Sequence, residues 1–135
     1  MPILVDTGAF YALADRDDAW HERMRDHLHG RNQVLMAPVS VVPEVCYLLR
    51  SRLGPGAERV FAESLSAGEV AVEGLTQRDL ARCAELLAQY EFLGFVDASV
   101  VAIAERLKLT SLVTTDRRDF RRVRPRHVRS FELLP

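Results

Sequence analysis

Two short apolar runs, "PILVD" at residues 2–6 and "SLVTTD" at residues 111–116, each end on an aspartate. Runs of this length, rich in Val, Ile and Leu and bounded by polar residues, read as strands buried on both faces. Such strands belong to parallel sheets whose connections are helices. A carboxylate that closes one of them is delivered to the C-terminal edge of the sheet, where ligand sites form.

The stretches between these runs fit that architecture. "TGAFYALADRDD" places Phe10, Leu13 and Ala14 at helical spacing, with Asp6 or Thr7 as the cap. "DAWHERMRDHLHG" reads as a second helix with Trp20, Met24 and Leu28 on one face and Gly30 at its end, and "QVLMAP" as a second strand. Ser40 is expected to cap a third helix that carries Pro43 in its first turn, holds Glu44 near its start and runs to Gly54. "GAERVFAESLSAG" predicts a fourth helix and "EVAVEG" a third strand. Thr76 and Asp79 resemble a capping box for "QRDLARCAELLAQY". "FVDASVVAIAERLKL" predicts a sixth helix with Asp97 at its start and Val100, Val101, Ala104 and Leu107 on its apolar side, and "VRSFELL" a fifth strand. The expectation is a three-layer α/β fold, a single domain over residues 1–135, with a mainly parallel sheet of four to five strands flanked by helices.

A chain of 135 residues suffices for one core without disulfides. No apolar run approaches the roughly 20 residues of a membrane span. The opening "MPILVDTGAF" lacks the basic start and long apolar core of a signal peptide, so the expected setting is soluble and cytoplasmic. Cys46 and Cys83 lie in apolar, helix-like contexts that suit buried, reduced thiols. Residues 117–129 hold seven Arg and one Asp, a charge of +6, which leaves −7 on the rest of a chain whose net charge is −1. The protein is thus a mildly acidic body with a basic patch.

Asp6, Glu44, Asp97 and Asp116 all fall at strand ends or helix starts, and the fold brings them to one edge. A single acid at a helix start is ordinary capping. Four together repel one another unless some are protonated or a cation lies among them. Oxygen ligands alone select Mg²⁺ or Mn²⁺ rather than zinc, and such a site suits phosphodiester hydrolysis without a Ser, Cys or His nucleophile. His21, His27 and His29 match no metal-ligand spacing and read as solvated surface, whereas His127, inside the basic run, reads as surface or as a contact to a phosphate.

With "ILVDTGAFYAL", "VVPEVCYLL", "FVDASVVAIAERLKL" and "LVTTDRRDF" in this order, the chain resembles PIN-domain ribonucleases, specifically the VapC-type toxins of toxin–antitoxin pairs. The resemblance covers essentially the whole length. It implies a Mg²⁺- or Mn²⁺-dependent endoribonuclease whose acid quartet is Asp6, Glu44, Asp97 and Asp116, hydrolysing RNA with a water that the ion activates. Asp119 stands where the family pattern varies, and either assists through a water or pairs with a neighbouring arginine. Gly8 stands where many relatives carry a small hydroxyl residue, which leaves Thr7 and Thr115 as the orienting hydroxyls. The resemblance further implies a VapB-type antitoxin, for which Phe10, Tyr11, Trp20 and Leu48 are candidate groove residues, and a homodimer. Arg117, Arg118, Arg121, Arg122, Arg124 and Arg126 are candidates to hold RNA phosphates, with strongly salt-dependent binding.

A haloacid-dehalogenase phosphatase would need a second acid where Gly8 stands, and a receiver domain a suitably placed lysine, yet the only lysine is Lys108. A PIN-like module that binds RNA or protein without cleavage, and a housekeeping nuclease without an antitoxin, remain as alternatives.

Overall fold

The computed structural model describes residues 1–135. Strands β1 (Ile3–Val5), β2 (Leu35–Pro38), β3 (Val70–Glu73), β4 (Ser111–Val113) and β5 (Glu132–Leu134) form one sheet in the order β3-β2-β1-β4-β5. Every pairing is parallel, with Ile3 opposite Leu35 and Leu4 opposite Leu112. The chain builds outward from β1 to β3, then returns to add β4 and β5 on the other side. That reversal opens a crevice at the C-terminal ends of β1 and β4, the switch point at which α/β sheets bind ligands. The expected α/β architecture is the observed one.

Seven helices cover the sheet: α1 (Thr7–Ala14), α2 (His21–Leu28), α3 (Val41–Leu53), α4 (Pro55–Ser66), α5 (Gln77–Gln89), α6 (Phe95–Leu107) and α7 (Arg117–Arg122). Every residue from Ala98 to Ala104 is buried, so α6 is enclosed on all sides for two turns rather than along one apolar stripe. Its alanines make this close packing feasible. The helix α7 lies inside the arginine run, where the pattern predicts none. Asp116 caps it, accepting from the Asp119 amide at 3.3 Å, and the buried Phe120 pins it to the core.

Other expectations are corrected. Ser40 occupies the position before α3 but makes no capping bond with its side chain; its hydroxyl meets Ser99 Oγ at 2.5 Å. The first helix stops at Ala14, and the second begins only at His21. His21 is half-buried and lies 2.7 Å from the Ala12 carbonyl, His27 is half-buried, and only His29 of the three is exposed. His127 is likewise half-buried, its Nε2 lying 2.6 Å from the Leu109 carbonyl. Both cysteines are free thiols, Cys83 buried and Cys46 half-buried. No helix is long and apolar enough to cross a membrane.

The capping box of α5 is complete. Thr76 Oγ1 accepts from the Asp79 amide at 3.1 Å, and Asp79 accepts from the Thr76 amide at 3.0 Å. Asp79 also accepts from Arg106 Nε, which ties α5 to α6. Burial alone would raise the pKa of Asp79, but Arg106 and the Thr76 amide bring it below the usual carboxylate value. Thr76→Ala is expected to lower stability by about 1 kcal/mol, read from the midpoint of urea unfolding.

Candidate active site

Five carboxylates gather at the crevice. Asp6 follows β1 and caps α1: its Oδ1 accepts from the Ala9 amide at 3.1 Å. Glu44 lies in the first turn of α3, and Asp97 in the first turn of α6. Asp116 caps α7 after β4, and Asp119 stands in the first turn of α7. All are thus near helix N-termini, whose partial positive charge offsets part of their repulsion. Asp97, Asp116 and Asp119 are the tightest group, each offering an oxygen within 4.8 Å of the others.

The crowding bears most on Asp6 and Asp97. Asp6, only 6% exposed, has its pKa raised to about 6, chiefly by burial; Asp116 and Glu44 add to the rise, while Thr114 and the Ala9 amide oppose it. Asp97 is raised to about 7 by burial and then by Asp116, Asp6, Glu44 and Asp119. No basic side chain relieves this. None of the five carboxylates takes part in any of the protein's ion pairs.

Hydroxyl groups orient the acids. Thr7 Oγ1 donates to Glu44 Oε1 at 2.6 Å. Thr114, fully buried, donates its hydroxyl proton to Asp6 Oδ2 and accepts from the Asp116 amide at 2.9 Å. One side chain therefore sets the geometry of two acids from different strands. Sequence reasoning misses this role; the available signal is a Thr two residues before an Asp, the spacing of a side-chain-to-backbone turn. Thr115 makes no hydrogen bond to an acid but lies over Gly8, where a Cβ would collide with Thr115 Oγ1. The missing side chain of Gly8 lets Thr115 rest against the first turn of α1.

Ser99 is a second residue that the sequence does not mark. It donates to the Val96 carbonyl at 2.6 Å and so receives the Ser40 hydroxyl proton, which locks the start of α3 against the start of α6. This latch holds the helix that carries Glu44 beside the one that carries Asp97.

The basic candidates scatter. Arg126 Nη2 pairs with Glu85 at 2.6 Å, and the Arg126 amide donates to Glu105. Arg117 lies over the Trp20 ring at 5.5 Å, and Arg122 over Phe92 at 3.8 Å. Arg118, Arg121 and Arg124 are exposed and form no ion pair. Among the groove candidates, Phe10 and Tyr11 are buried, and Trp20 and Leu48 half-buried.

A parallel sheet with an acid cluster at its switch point defines a class of α/β domains with an acidic site at that edge, and the comparisons narrow it. The sequence model of the PIN domain family matches residues 3–125, and the chain belongs to that family. It is similar to ribonuclease VapC26 of Mycobacterium tuberculosis, with 26% identity over 135 residues, 98% of this chain and 100% of the relative. It is also similar to the crystal structure of Mycobacterium tuberculosis VapC20, described as a sarcin–ricin loop cleaving toxin. That match has a TM-score of 0.76 and 26% identity over 82% of this chain and 86% of the other. The expected resemblance to VapC-type PIN domains is met by both.

The three mutually close acids, Asp97, Asp116 and Asp119, fit a hard divalent ion: they offer carboxylate oxygens without sulfur or imidazole. Thr114→Val, which deletes both hydrogen bonds while keeping the shape, is expected to lower metal affinity about 10–100-fold. Titration calorimetry with Mn²⁺ reads this directly, and an unchanged affinity counts against the orienting role.

Proposed function

We propose that the protein is a Mg²⁺- or Mn²⁺-dependent endoribonuclease and the toxin of a toxin–antitoxin pair. The observation that carries this reading is the set of five carboxylates, two of them raised to about 6 and about 7, without a basic partner in the fold. A structural role would leave such acids paired. A partly buried, repelling cluster, with Asp6 enclosed and Glu44 at the surface, destabilises the metal-free protein and is understandable as a site that stores affinity for a cation.

Asp6, Glu44, Asp97 and Asp116 would hold the ion, with Asp119 close enough to join Asp97 and Asp116. When bound, the divalent ion supplies charge neutralisation at the phosphate and a lower pKa for the attacking water. Asp6 and Asp97 surrender their protons as the site fills. Thr114 and Thr7 keep Asp6 and Glu44 pointed inward, and the exposed arginines of α7 offset the repulsion between an acidic site and a polyanion.

The antitoxin reading is supported by an apolar groove of about 270 Å³ in which Phe10, Leu13 and Ala14 of α1 face Leu49 of α3 and Ala57 and Phe61 of α4. A VapB-type segment with apolar side chains at helical spacing suits it. A homodimer, as in the implied family pattern, is tested by sedimentation of the isolated chain.

The activity is tested by incubating the purified protein with total RNA in Mg²⁺, Mn²⁺ or EDTA and mapping the new ends. The expected products carry 5′-phosphate and 3′-hydroxyl termini and form only with a divalent ion. Cleavage that persists in EDTA overturns the metal-dependent reading.

A further inference from the structure

The arginine run contains two populations. Arg126 pairs with Glu85 at 2.6 Å on the exposed surface. Arg121, Arg122, Arg124 and Arg129 instead line one shallow, open cleft of about 340 Å³ together with Val123, and no acid borders it. None of these four enters an ion pair. Four cations around one concavity repel one another, and in a protein with 19 acidic side chains the lack of a counter-charge there is conspicuous.

The cleft is also braced. The Arg122 guanidinium stacks on the Phe92 ring at 3.8 Å, and the Arg124 amide donates to the Tyr90 hydroxyl at 3.0 Å. Tyr90 and Phe92 pack together with ring centroids 5.6 Å apart, so the segment between α5 and α6 forms an aromatic shelf beneath two of the arginines. Val123, buried between them in sequence, fixes the backbone. Less entropy is then lost when an anion is held.

Its position relates it to the acids. The helix α7 is six residues, about 9 Å, long, with Asp116 and Asp119 at its N-terminal end and Arg121 and Arg122 at its C-terminal end. We propose that this cleft is a phosphate subsite, which grips a backbone phosphate of the RNA strand near the scissile one and so registers the strand on the acid cluster. This rests on the ribonuclease reading above. It adds Arg129 to the binding residues, removes Arg126 from them, and assigns Phe92 a positioning role. Arginines that grip phosphates in this way read the backbone rather than the bases.

The test uses the full chain carrying Asp97→Asn, so that RNA is bound without being cut, and a fluorescent single-stranded oligoribonucleotide of about ten nucleotides. Adding Arg124→Ala and Arg129→Ala is expected to weaken binding at least tenfold. It should also lower the slope of log affinity against log salt by about 0.7, the value for one phosphate that is no longer neutralised. Phe92→Leu, which removes no charge, is expected to weaken binding about two- to fivefold with the slope unchanged. Arg126→Ala should alter neither quantity. The subsite is overturned if the double arginine change leaves affinity and slope as they were, or if Arg126→Ala reproduces its effect. It is also overturned if poly-aspartate displaces the RNA as well as an equal concentration of unlabelled oligonucleotide, since the cleft then suits an acidic protein segment. Cleavage by the unaltered chain is measured separately: RNA binding through the cleft without any cutting refutes the nuclease reading and leaves the subsite standing.

Discussion

Asp97→Asn is expected to yield a folded protein that cleaves RNA about a thousandfold more slowly, or worse, and whose metal-free form is more stable than the parent. The two effects share one cause. Burial and four neighbouring acids lift Asp97 to about 7, so near neutral pH its charge is held against both desolvation and repulsion. Asparagine keeps the shape, removes the charge and relieves Asp6, whose own value is raised in the same cluster. A carboxylate that merely complemented the N-terminus of α6 would behave in the opposite way, its loss costing about 0.3–1 kcal/mol. Urea unfolding in EDTA at pH 8 and single-turnover cleavage in Mg²⁺ separate these cases. A variant that is as active as the parent refutes the site; one that is less stable in EDTA shows that the charge serves the fold.

The parts of this site that are legible in the sequence are those fixed by local pattern. Asp6 and Asp116 close apolar runs, and Asp97 opens an apolar helix, so the parallel sheet places them at one edge before any contact is known. Thr114 is not legible, because its importance comes from a bond to a residue 108 positions away. Thr7 and Thr115 read equally well as orienting hydroxyls, and only the geometry distinguishes Thr7 on Glu44 from Thr115 over Gly8. Ser40 fails as a cap for a related reason: Ser99, another distant residue, offers its hydroxyl a better partner. The short α7 is hidden by its charge, since one buried Phe120 in a run of arginines carries no periodicity. Asp119 is ambiguous in the sequence for the same reason. Once α7 forms, its first turn brings Asp119 beside Asp116 and Asp97.

The metal-free protein is expected to lose stability as pH rises from about 5 to about 8, by on the order of 2–4 kcal/mol, and Mg²⁺ is expected to restore it. Asp6 and Asp97 have folded pKa values of about 6 and about 7 against an ordinary value of 3.8. Between those limits the folded chain binds more protons than the unfolded one, so raising the pH favours unfolding. The opposite contribution comes from Asp79 and Glu105, whose values are lowered by Arg106 and Arg82 despite burial. Their stabilisation is lost only as pH falls through the low carboxylate range; within the window from 5 to 8 the half-buried His27, its pKa lowered by burial, opposes the acid cluster, one group against two. A cation that binds the ionised cluster removes the repulsion and competes with the protons, so its stabilising effect must grow with pH. Urea unfolding midpoints at several pH values, in EDTA and in Mg²⁺, give both slopes. A midpoint in EDTA that is flat or rises over this window shows that the cluster's charges are already compensated within the protein. With them compensated, the acids would have no need of a metal, and the proposed chemistry would lose its physical basis.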